Sequence, residues 1–181
     1  MTSSQNELAI FKTELGWFAI LHQSERILRI KFGFPSRESA LVEFAEEFGF
    51  ETESKSAPVW QSDFTDYAQG KKVSFAKLKL DTSHLTEFQK TVTDQCRKIA
   101  YGETLTYGEL AAKCNSPKAA RAVGAVMKSN RFPIVIPCHR VVRACGLGGF
   151  SASSGVSAKQ KMLIMEGAIK PESQMQLPGV S

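Results

Sequence analysis

The sequence of 181 residues contains no apolar run approaching the ~18 residues that a membrane-spanning helix requires. Residues 1–7 are polar and lack the charged-then-apolar order of a signal peptide. With 43% hydrophobic and 23% charged residues, the composition is that of a globular protein and excludes a disordered or fibrous chain. We therefore expect an intracellular protein without a membrane partner, located in the nucleus of a eukaryote or the cytoplasm of a prokaryote.

Cysteine is absent from residues 1–95. The four cysteines that follow, Cys96, Cys114, Cys138 and Cys145, include no pair at the two-residue spacing of a zinc knuckle or a redox motif. We expect free thiols in a reducing compartment, with Cys96 and Cys114 serving as small buried hydrophobic residues.

Acidic residues are scarce in the second half of the chain. Residues 1–81 carry a net charge of −2, whereas residues 82–181 carry 13 Lys and Arg against 6 Asp and Glu, a net charge of +7. Between residues 107 and 143, Glu109 is the only acid among seven basic residues. Such a basic region indicates a polyanionic partner, most simply nucleic acid, with a solvated basic surface as the alternative.

The hydrophobic pattern of the first unit predicts strands followed by helices. Three short apolar runs within residues 8–32 are separated by turn residues and predict an antiparallel meander. Ser36 is expected to cap a helix over residues 39–48, and a second short helix is expected over residues 58–69. Residues 75–80 alternate again and predict a return to the sheet.

Three helices are predicted in the second unit. An amphipathic helix follows Thr86 and is expected to end at Tyr101. Thr106 is expected to cap a second helix over residues 107–114, and a third covers residues 118–129. The last two are joined by a tight turn, and the third carries Arg121 among small residues. This pattern is typical of a helix-turn-helix that binds DNA, with an αα-hairpin packed in the core as the alternative.

These patterns predict an α+β protein of two units. We expect a domain with an antiparallel sheet over residues 1–81, a mainly helical domain with a helix-turn-helix over residues 82–170, and a disordered tail over residues 171–181.

A candidate nucleophile stands where a buried segment ends. Residues 132–136 are apolar but interrupted by a proline, and Pro137 then presents Cys138 beside His139. Three flanking arginines predict a lowered pKa for the thiol. Because neighbouring side chains diverge in an extended chain, a water or a turn would have to connect Cys138 to His139.

The segment Pro137-Cys138-His139-Arg140-Val141 resembles the active-site signature of the O6-alkylguanine-DNA alkyltransferases. About eighty residues agree with that family in order and nearly in spacing. They include Phe88-Gln89, Tyr101 to Ala111, Pro117 to Gly124, Asn130, Ile136 to Arg140 and Leu163 to Gly167. The resemblance implies a smaller ribonuclease-H-like N-terminal domain, which residues 1–81 match only loosely.

The resemblance implies a role for each active-site residue. Cys138 accepts the alkyl group from guanine O6 and keeps it as a thioether, so the protein reacts once. His139 takes the proton of Cys138 through a water, and Glu166 orients and charges His139. Asn130 helps to hold the active-site turn, and Tyr107 lies over the flipped base and donates toward its ring nitrogen.

The resemblance also implies the partner, double-stranded DNA carrying O6-alkylguanine, with O4-alkylthymine as a second substrate. Arg121 inserts where the base was, and its helix lies in the minor groove, which is only ~6 Å wide in B-form DNA and so requires small residues. The DNA contacts are expected from Ser116, Lys118, Ala119, Ala120, Ala122 and Gly124, together with Tyr107. We expect a monomer with no cofactor. We also expect no metal, because residues 1–95 lack the cysteines that, with histidines, bind a structural zinc in some relatives.

The sequence departs from the family pattern beyond the active-site turn. Phe150 and Ser151 stand where the family has an aromatic residue, usually Tyr, and its neighbour, so they are expected to line the base pocket with one hydroxyl fewer. The loop over residues 143–149 is one residue short of the pattern. Cys145 is additional and is either an incidental loop thiol or a second reactive one.

Three alternatives belong to other functional classes. A non-catalytic damage-binding relative typically lacks the cysteine, and a transcriptional regulator leaves residues 137–140 unexplained. A cysteine hydrolase would turn over repeatedly. Gain of one benzyl group per molecule from O6-benzylguanine is expected of the alkyltransferase alone.

Overall fold

The structure, a computed structural model, describes residues 6–48, 52–54, 57–144 and 155–171. The strands in these ranges are β1 (Glu7–Thr13), β2 (Gly16–Gln23), β3 (Arg26–Phe34), β4 (Thr52–Glu53), β5 (Lys79–Leu80), β6 (Leu105–Thr106) and β7 (Val141–Val142). The helices are α1 (Arg37–Glu47), α2 (Gln61–Ala68), α3 (Glu87–Arg97), α4 (Tyr107–Lys113), α5 (Ala120–Lys128) and α6 (Gly155–Met165). The expected α+β class is confirmed.

A five-stranded sheet in the order β4-β1-β2-β3-β5 occupies the first half of the chain. The antiparallel meander β1-β2-β3 is as predicted. Both edge strands, β4 and β5, are parallel to their neighbours, so the expected antiparallel sheet is antiparallel only in its meander. The chain returns to each edge through a connection that contains a helix, which allows parallel pairing.

The sheet is buried on both faces, because successive side chains of a strand point to opposite sides. On one face Ala19 and Phe34 pack with Phe44 of α1. On the other face Phe18 packs with Phe64 of α2. Covering both faces explains why the middle of β2 is apolar without alternation.

Three helices begin at capping boxes, in which a side-chain oxygen accepts from the backbone three residues later. The caps are Ser36, Thr86 and Thr106. Ser36 and Thr106 are the caps that the sequence predicts, and Thr86 is the residue that it places before α3. A capping box satisfies two of the N–H groups that the first turn leaves without helical partners.

Several helix boundaries and one strand differ from the sequence prediction. Helix α2 begins at Gln61 because Pro58 opens a turn, in which its carbonyl accepts from the N–H of Gln61. Helix α3 ends at Arg97 because the following N–H groups bond three residues back and tighten the last turn. Helix α5 begins at Ala120 because residues 117–118 form a turn. The expected strand over residues 75–80 shortens to β5, since Phe75 turns inward against Phe64.

One hydrophobic core joins the two predicted units. It contains Phe18 and Phe64 from the first unit and Cys96, Val123 and Met162 from the second. Backbone hydrogen bonds also cross between them, as from the N–H of Ile30 to the carbonyl of Arg131 at 2.9 Å. No helix within the described ranges is long and apolar enough to span a bilayer. The ribonuclease-H-like and helix-turn-helix descriptions, and the boundary near residue 81, stay predictions.

Candidate active site

Cys138 begins a single 3₁₀ turn, Cys138–Arg140, at the end of the buried segment 132–136. Pro137 adopts φ −78° and ψ 63°, the geometry of an inverse γ-turn. The N–H of Cys138 accordingly donates to the carbonyl of Ile136 at 2.7 Å. The predicted buried and irregular segment, broken at Pro137, is confirmed, and it leaves Cys138 only 4% exposed.

The side chain of Asn130 fixes this segment against the cysteine. Its Nδ2 donates to the carbonyl of Ile136 at 2.9 Å and to Sγ of Cys138 at 3.1 Å, while its Oδ1 accepts from the N–H of Phe132 at 2.9 Å. A donor aimed at sulfur stabilises the thiolate more than the thiol, because the anion is the stronger acceptor. The structure therefore brings together Asn130 and Cys138, which the sequence assigned to one site.

His139 and Glu166 form a fully buried pair. Nε2 of His139 donates to Oε1 of Glu166 at 2.8 Å, and both side chains are 0% exposed. Arg140 donates to the same carboxylate with two nitrogens, Nε to Oε2 at 2.8 Å and Nη2 to Oε1 at 2.9 Å. With its Nε2 proton held by Glu166, the neutral imidazole of His139 keeps a lone pair on Nδ1.

Tyr67 is a site residue that the sequence interpretation missed. It belongs to α2, yet its hydroxyl donates to Oε1 of Glu166 at 2.6 Å and lies 3.2 Å from Nε2 of His139. A fully buried tyrosine requires a hydrogen-bond partner, which is the one signal that could have drawn attention to it. The partner itself is 99 residues away in the sequence, so no local pattern identifies it.

Lys159 was also missed. It is 0% exposed on the buried face of α6, beside Ala158 and Met162, and its Nζ donates to the carbonyl of Val141 at 2.6 Å. Burial lowers the pKa of Lys159 to about 8, although the nearby Cys138 acts to raise it. A lysine on the apolar face of a predicted helix, two turns before Glu166, was the available signal.

Burial sets the protonation states of the site. It raises the pKa of the Cys138 thiol, and the Asn130 hydrogen bond and the charge of Lys159 offset this only in part. It also lowers the pKa of His139 against the opposite effect of Glu166. Burial alone would raise the pKa of Glu166, but hydrogen bonds from His139 and Arg140 outweigh it and bring the pKa to about 2.

The expectation of a lowered thiol pKa from flanking arginines is therefore wrong. Arg140 is committed to Glu166, and the exposed Arg131 and Arg143 lie at the surface. At neutral pH the site holds a thiol, a neutral imidazole and a carboxylate. Such a set contains the groups of an activated nucleophile: a thiol, a base and a carboxylate that holds the base.

The predicted DNA-binding residues lie on and around α5. Its Val123, Val126 and Met127 are buried, whereas Arg121 and Ala122 are exposed on the opposite side. Lys118 is exposed, and the other predicted contacts, Ser116, Ala119, Ala120 and Gly124, are half-buried. Residues 116–119 lie in the turn that precedes α5 and not in the helix itself.

Tyr107 joins this helix pair to the cysteine. It opens α4, is half-buried, and lies so close to Gly124 that a Cβ there would be 3.9 Å from its ring. Burial raises the pKa of its hydroxyl, and the proximity of Cys138 adds to this. Tyr107 thus lies near Gly124 of α5 and within electrostatic range of the Cys138 thiol.

Three predicted residues, Phe150, Ser151 and Cys145, lie outside the described residues. Within the described part of the chain, no group of three or more His, Cys, Asp or Glu residues is placed to hold a metal ion.

The fold and the site define a mixed α+β protein with a buried cysteine beside a His–Glu pair. Residues 87–168 match the family described as 6-O-methylguanine DNA methyltransferase, DNA binding domain. This match covers a little under half of the chain and shows what residues 87–168 are similar to.

Similar sequences come from archaea and bacteria. The chain is 48% identical over 84 residues to the methylated-DNA--protein-cysteine methyltransferase of Methanosarcina acetivorans, covering 46% of this chain and 53% of the relative. It is 41% identical over 113 residues to the protein of that name from Haemophilus influenzae, and the match covers 60% of this chain and 62% of the relative. The matches thus span little more than half of these relatives.

Two solved structures are similar over most of the chain. The O6-methylguanine methyltransferase of Mycobacterium tuberculosis has a TM-score of 0.73 at 25% identity, covering 92% of this chain and 96% of that one. The same organism's OGT in complex with DNA also has a TM-score of 0.73 at 25% identity, and the match covers 88% of this chain and 92% of that one.

Proposed function

We propose that this chain is a methylated-DNA--protein-cysteine methyltransferase that repairs O6-alkylguanine in double-stranded DNA. The thiolate of Cys138 attacks the alkyl carbon, a carbon–sulfur bond forms, and the bond from that carbon to guanine O6 breaks. The electron pair stays on the guanine, which becomes protonated, and the protein keeps a thioether. Because no step removes the alkyl group, each molecule reacts once.

The observation that carries the proposal is the polar surroundings of the buried thiol. Asn130 supplies a hydrogen bond that favours the thiolate, and His139, supported by Glu166, is the acceptor for the thiol proton. Tyr107 donates to the base as negative charge leaves O6. O4-alkylthymine is a second substrate on the same chemistry.

A base within a duplex cannot reach a thiol that is 4% exposed, so the nucleotide must be extruded. Extrusion costs a few kcal/mol of unstacking, and the exposed Arg121 fills the gap that the base leaves. The small residues of α5 fit the minor groove, as the second helix of a helix-turn-helix. Exposed basic residues contribute sequence-independent phosphate contacts.

We also propose the division into a ribonuclease-H-like domain over residues 1–81 and a DNA-binding, alkyl-accepting domain over residues 82–170, acting as a monomer. The N–H of Asp81 donates to the carbonyl of Ile27 at 2.8 Å, the last such bond to the sheet before the chain continues into the second unit.

Incubation with free O6-benzylguanine, followed by intact-mass measurement, tests the activity. We expect one benzyl group per molecule, mapped to Cys138, and none in a Cys138→Ala variant that still binds DNA. Failure of the parent protein to gain mass while it binds alkylated duplexes would support the alternative, a non-catalytic damage-binding protein. Stoichiometric labelling of Cys138→Ala at Cys114 or Cys145 would refute the assigned nucleophile.

A further inference from the structure

Tyr67 is held rigidly with its hydroxyl against the His139–Glu166 pair. Its side chain is fully buried, and its ring makes edge-on contacts with Phe75 and Tyr101, at centroid distances of 5.8 and 6.3 Å. A ring packed on two sides cannot move its hydroxyl without moving its neighbours. The phenol oxygen therefore has a fixed position between the carboxylate and the imidazole.

The hydroxyl dipole is oriented by its two neighbours. Its proton points to Oε1 of Glu166 at 2.6 Å, which leaves oxygen lone pairs to face the N–H at Nε2 of His139, 3.2 Å away. The positive end of the O–H bond thus faces the carboxylate and the negative end faces the imidazole. This orientation favours the charged pair of imidazolium and carboxylate that forms when His139 accepts a proton.

We propose that Tyr67 is a positioning residue for thiol activation, through which the first unit of the chain stabilises protonated His139 against Glu166. The inference rests on the proposed function, in which His139 accepts the proton of Cys138. Since Tyr67 lies on α2, the first unit of the chain, which contains the sheet, would take part in the chemistry of the second.

The other groups that face His139 define what Tyr67 adds. Arg140, which shares the carboxylate, and Lys159, on α6, both oppose a charged imidazole, whereas Glu166 favours it. Burial and the proximity of Glu166 raise the pKa of Tyr67 well above its ordinary value, so the phenol stays protonated and remains a donor. Because it stays protonated, Tyr67 acts together with Glu166 to stabilise protonated His139 at any pH at which the protein functions.

The test is the pH dependence of Cys138 alkylation in the Tyr67→Phe variant, which keeps the ring and removes the hydroxyl. We expect alkylation by O6-benzylguanine to slow by at least about threefold near pH 6.5 and by less than about twofold near pH 9, where solvent deprotonates the thiol directly. The control is Tyr101→Phe, whose lost hydroxyl donates to the backbone carbonyls of Gly70 and Met165, at 2.8 and 3.2 Å, rather than to Glu166. Its pH profile should run parallel to that of the parent protein.

Iodoacetamide labelling of Cys138, mapped by peptide mass, measures the thiolate without an alkylated base. We expect the same pH-dependent loss in Tyr67→Phe with this reagent. A loss that is equal at both pH values, or no loss, overturns the inference while leaving the alkyl transfer intact. If the parent gains no benzyl group, the proposed function fails, and the iodoacetamide profile still decides the role of Tyr67.

Discussion

Nδ2 of Asn130 lies 3.1 Å from the sulfur of Cys138 and simultaneously holds the carbonyl of Ile136 at 2.9 Å. The side-chain amide of Asn130 therefore both holds the loop in place and donates a hydrogen bond to the sulfur of Cys138. Since burial raises the pKa of the thiol, this hydrogen bond acts in the opposite direction at the point where charge develops.

Replacing Asn130 with Asp tests this contact with little change in shape. The new carboxylate can still accept from the N–H of Phe132, but it offers no hydrogen to the sulfur and repels a thiolate. We expect the pKa of Cys138 to rise and its labelling by iodoacetamide near pH 7.5 to slow by about tenfold or more. Asn130→Ala should slow labelling less, because it removes the donor without adding a charge, and the reverse order would contradict this account.

Glu166→Gln should slow alkylation of Cys138 more near pH 6.5 than near pH 8.5. A neutral amide supports protonated His139 less well, so less thiolate forms at low pH, whereas high pH supplies thiolate independently. Stopped-time labelling with O6-benzylguanine at both pH values measures the effect. Equal slowing at the two values would restrict Glu166 to a structural role.

The same variant should show a pH-dependent loss of stability. The pKa of Glu166 is about 2 in the folded protein, below its value of roughly 4.3 in an unfolded chain. A lowered pKa stabilises the folded state above the unfolded value, and this contribution is lost as pH falls toward 2. Urea unfolding should therefore show a larger difference between parent and variant at pH 7 than at about pH 2.5.

Arg121→Ala should slow repair of O6-methylguanine in duplex DNA at least about tenfold, equivalent to ~1.4 kcal/mol. An inserted side chain offsets part of the few kcal/mol that extrusion costs, and a free base needs no extrusion. Reaction with free O6-benzylguanine should stay within about twofold of the parent. Rates on duplex DNA are compared at saturating DNA.

The matched control is Lys128→Ala, which removes one exposed positive charge from the same helix. It should weaken DNA binding without changing the rate at saturation. If Arg121→Ala slows the reaction equally on duplex DNA and on the free base, Arg121 instead has a structural role in the substrate pocket.

Gly102→Ala should destabilise the protein more than Gly167→Ala does. Both glycines have positive φ, +82° and +74°, so alanine is strained at either position by roughly 1–2 kcal/mol. At Gly102 a Cβ would also lie 2.9 Å from the backbone carbonyl of Glu166, whereas none of the described residues comes within 4 Å of a Cβ at Gly167. Urea midpoints of the two variants give the difference, and equal midpoints would show that the backbone moves aside freely.

The sequence predicts local features of this fold well. Capping residues such as Thr106 identify the starts of helices, and apolar runs separated by turn residues identify the meander of β1 to β3. Both signals depend on neighbours in the chain. Helix ends were less accurate, as at Arg97, where a tightened turn rather than a sequence signal stops α3. The two-residue strands β6 and β7 carry no periodic pattern at all.

The site was only partly accessible to sequence reasoning. Cys138, His139 and Glu166 were recognisable through resemblance to a family, whereas Tyr67 makes its contact across 99 residues of chain. The raised thiol pKa depends on burial and on the engagement of Arg140 elsewhere, neither of which adjacency in sequence reveals.

The shared hydrophobic core restricts how this chain can be divided or recombined. A truncation between residues 81 and 82 would separate Phe18 and Phe64 from Cys96 and Met162 and leave apolar surface on both fragments. A chimaera that exchanges one unit for that of a relative would have to carry over matching contact residues. The two units thus differ in sequence pattern, but they share one core and have to be engineered together.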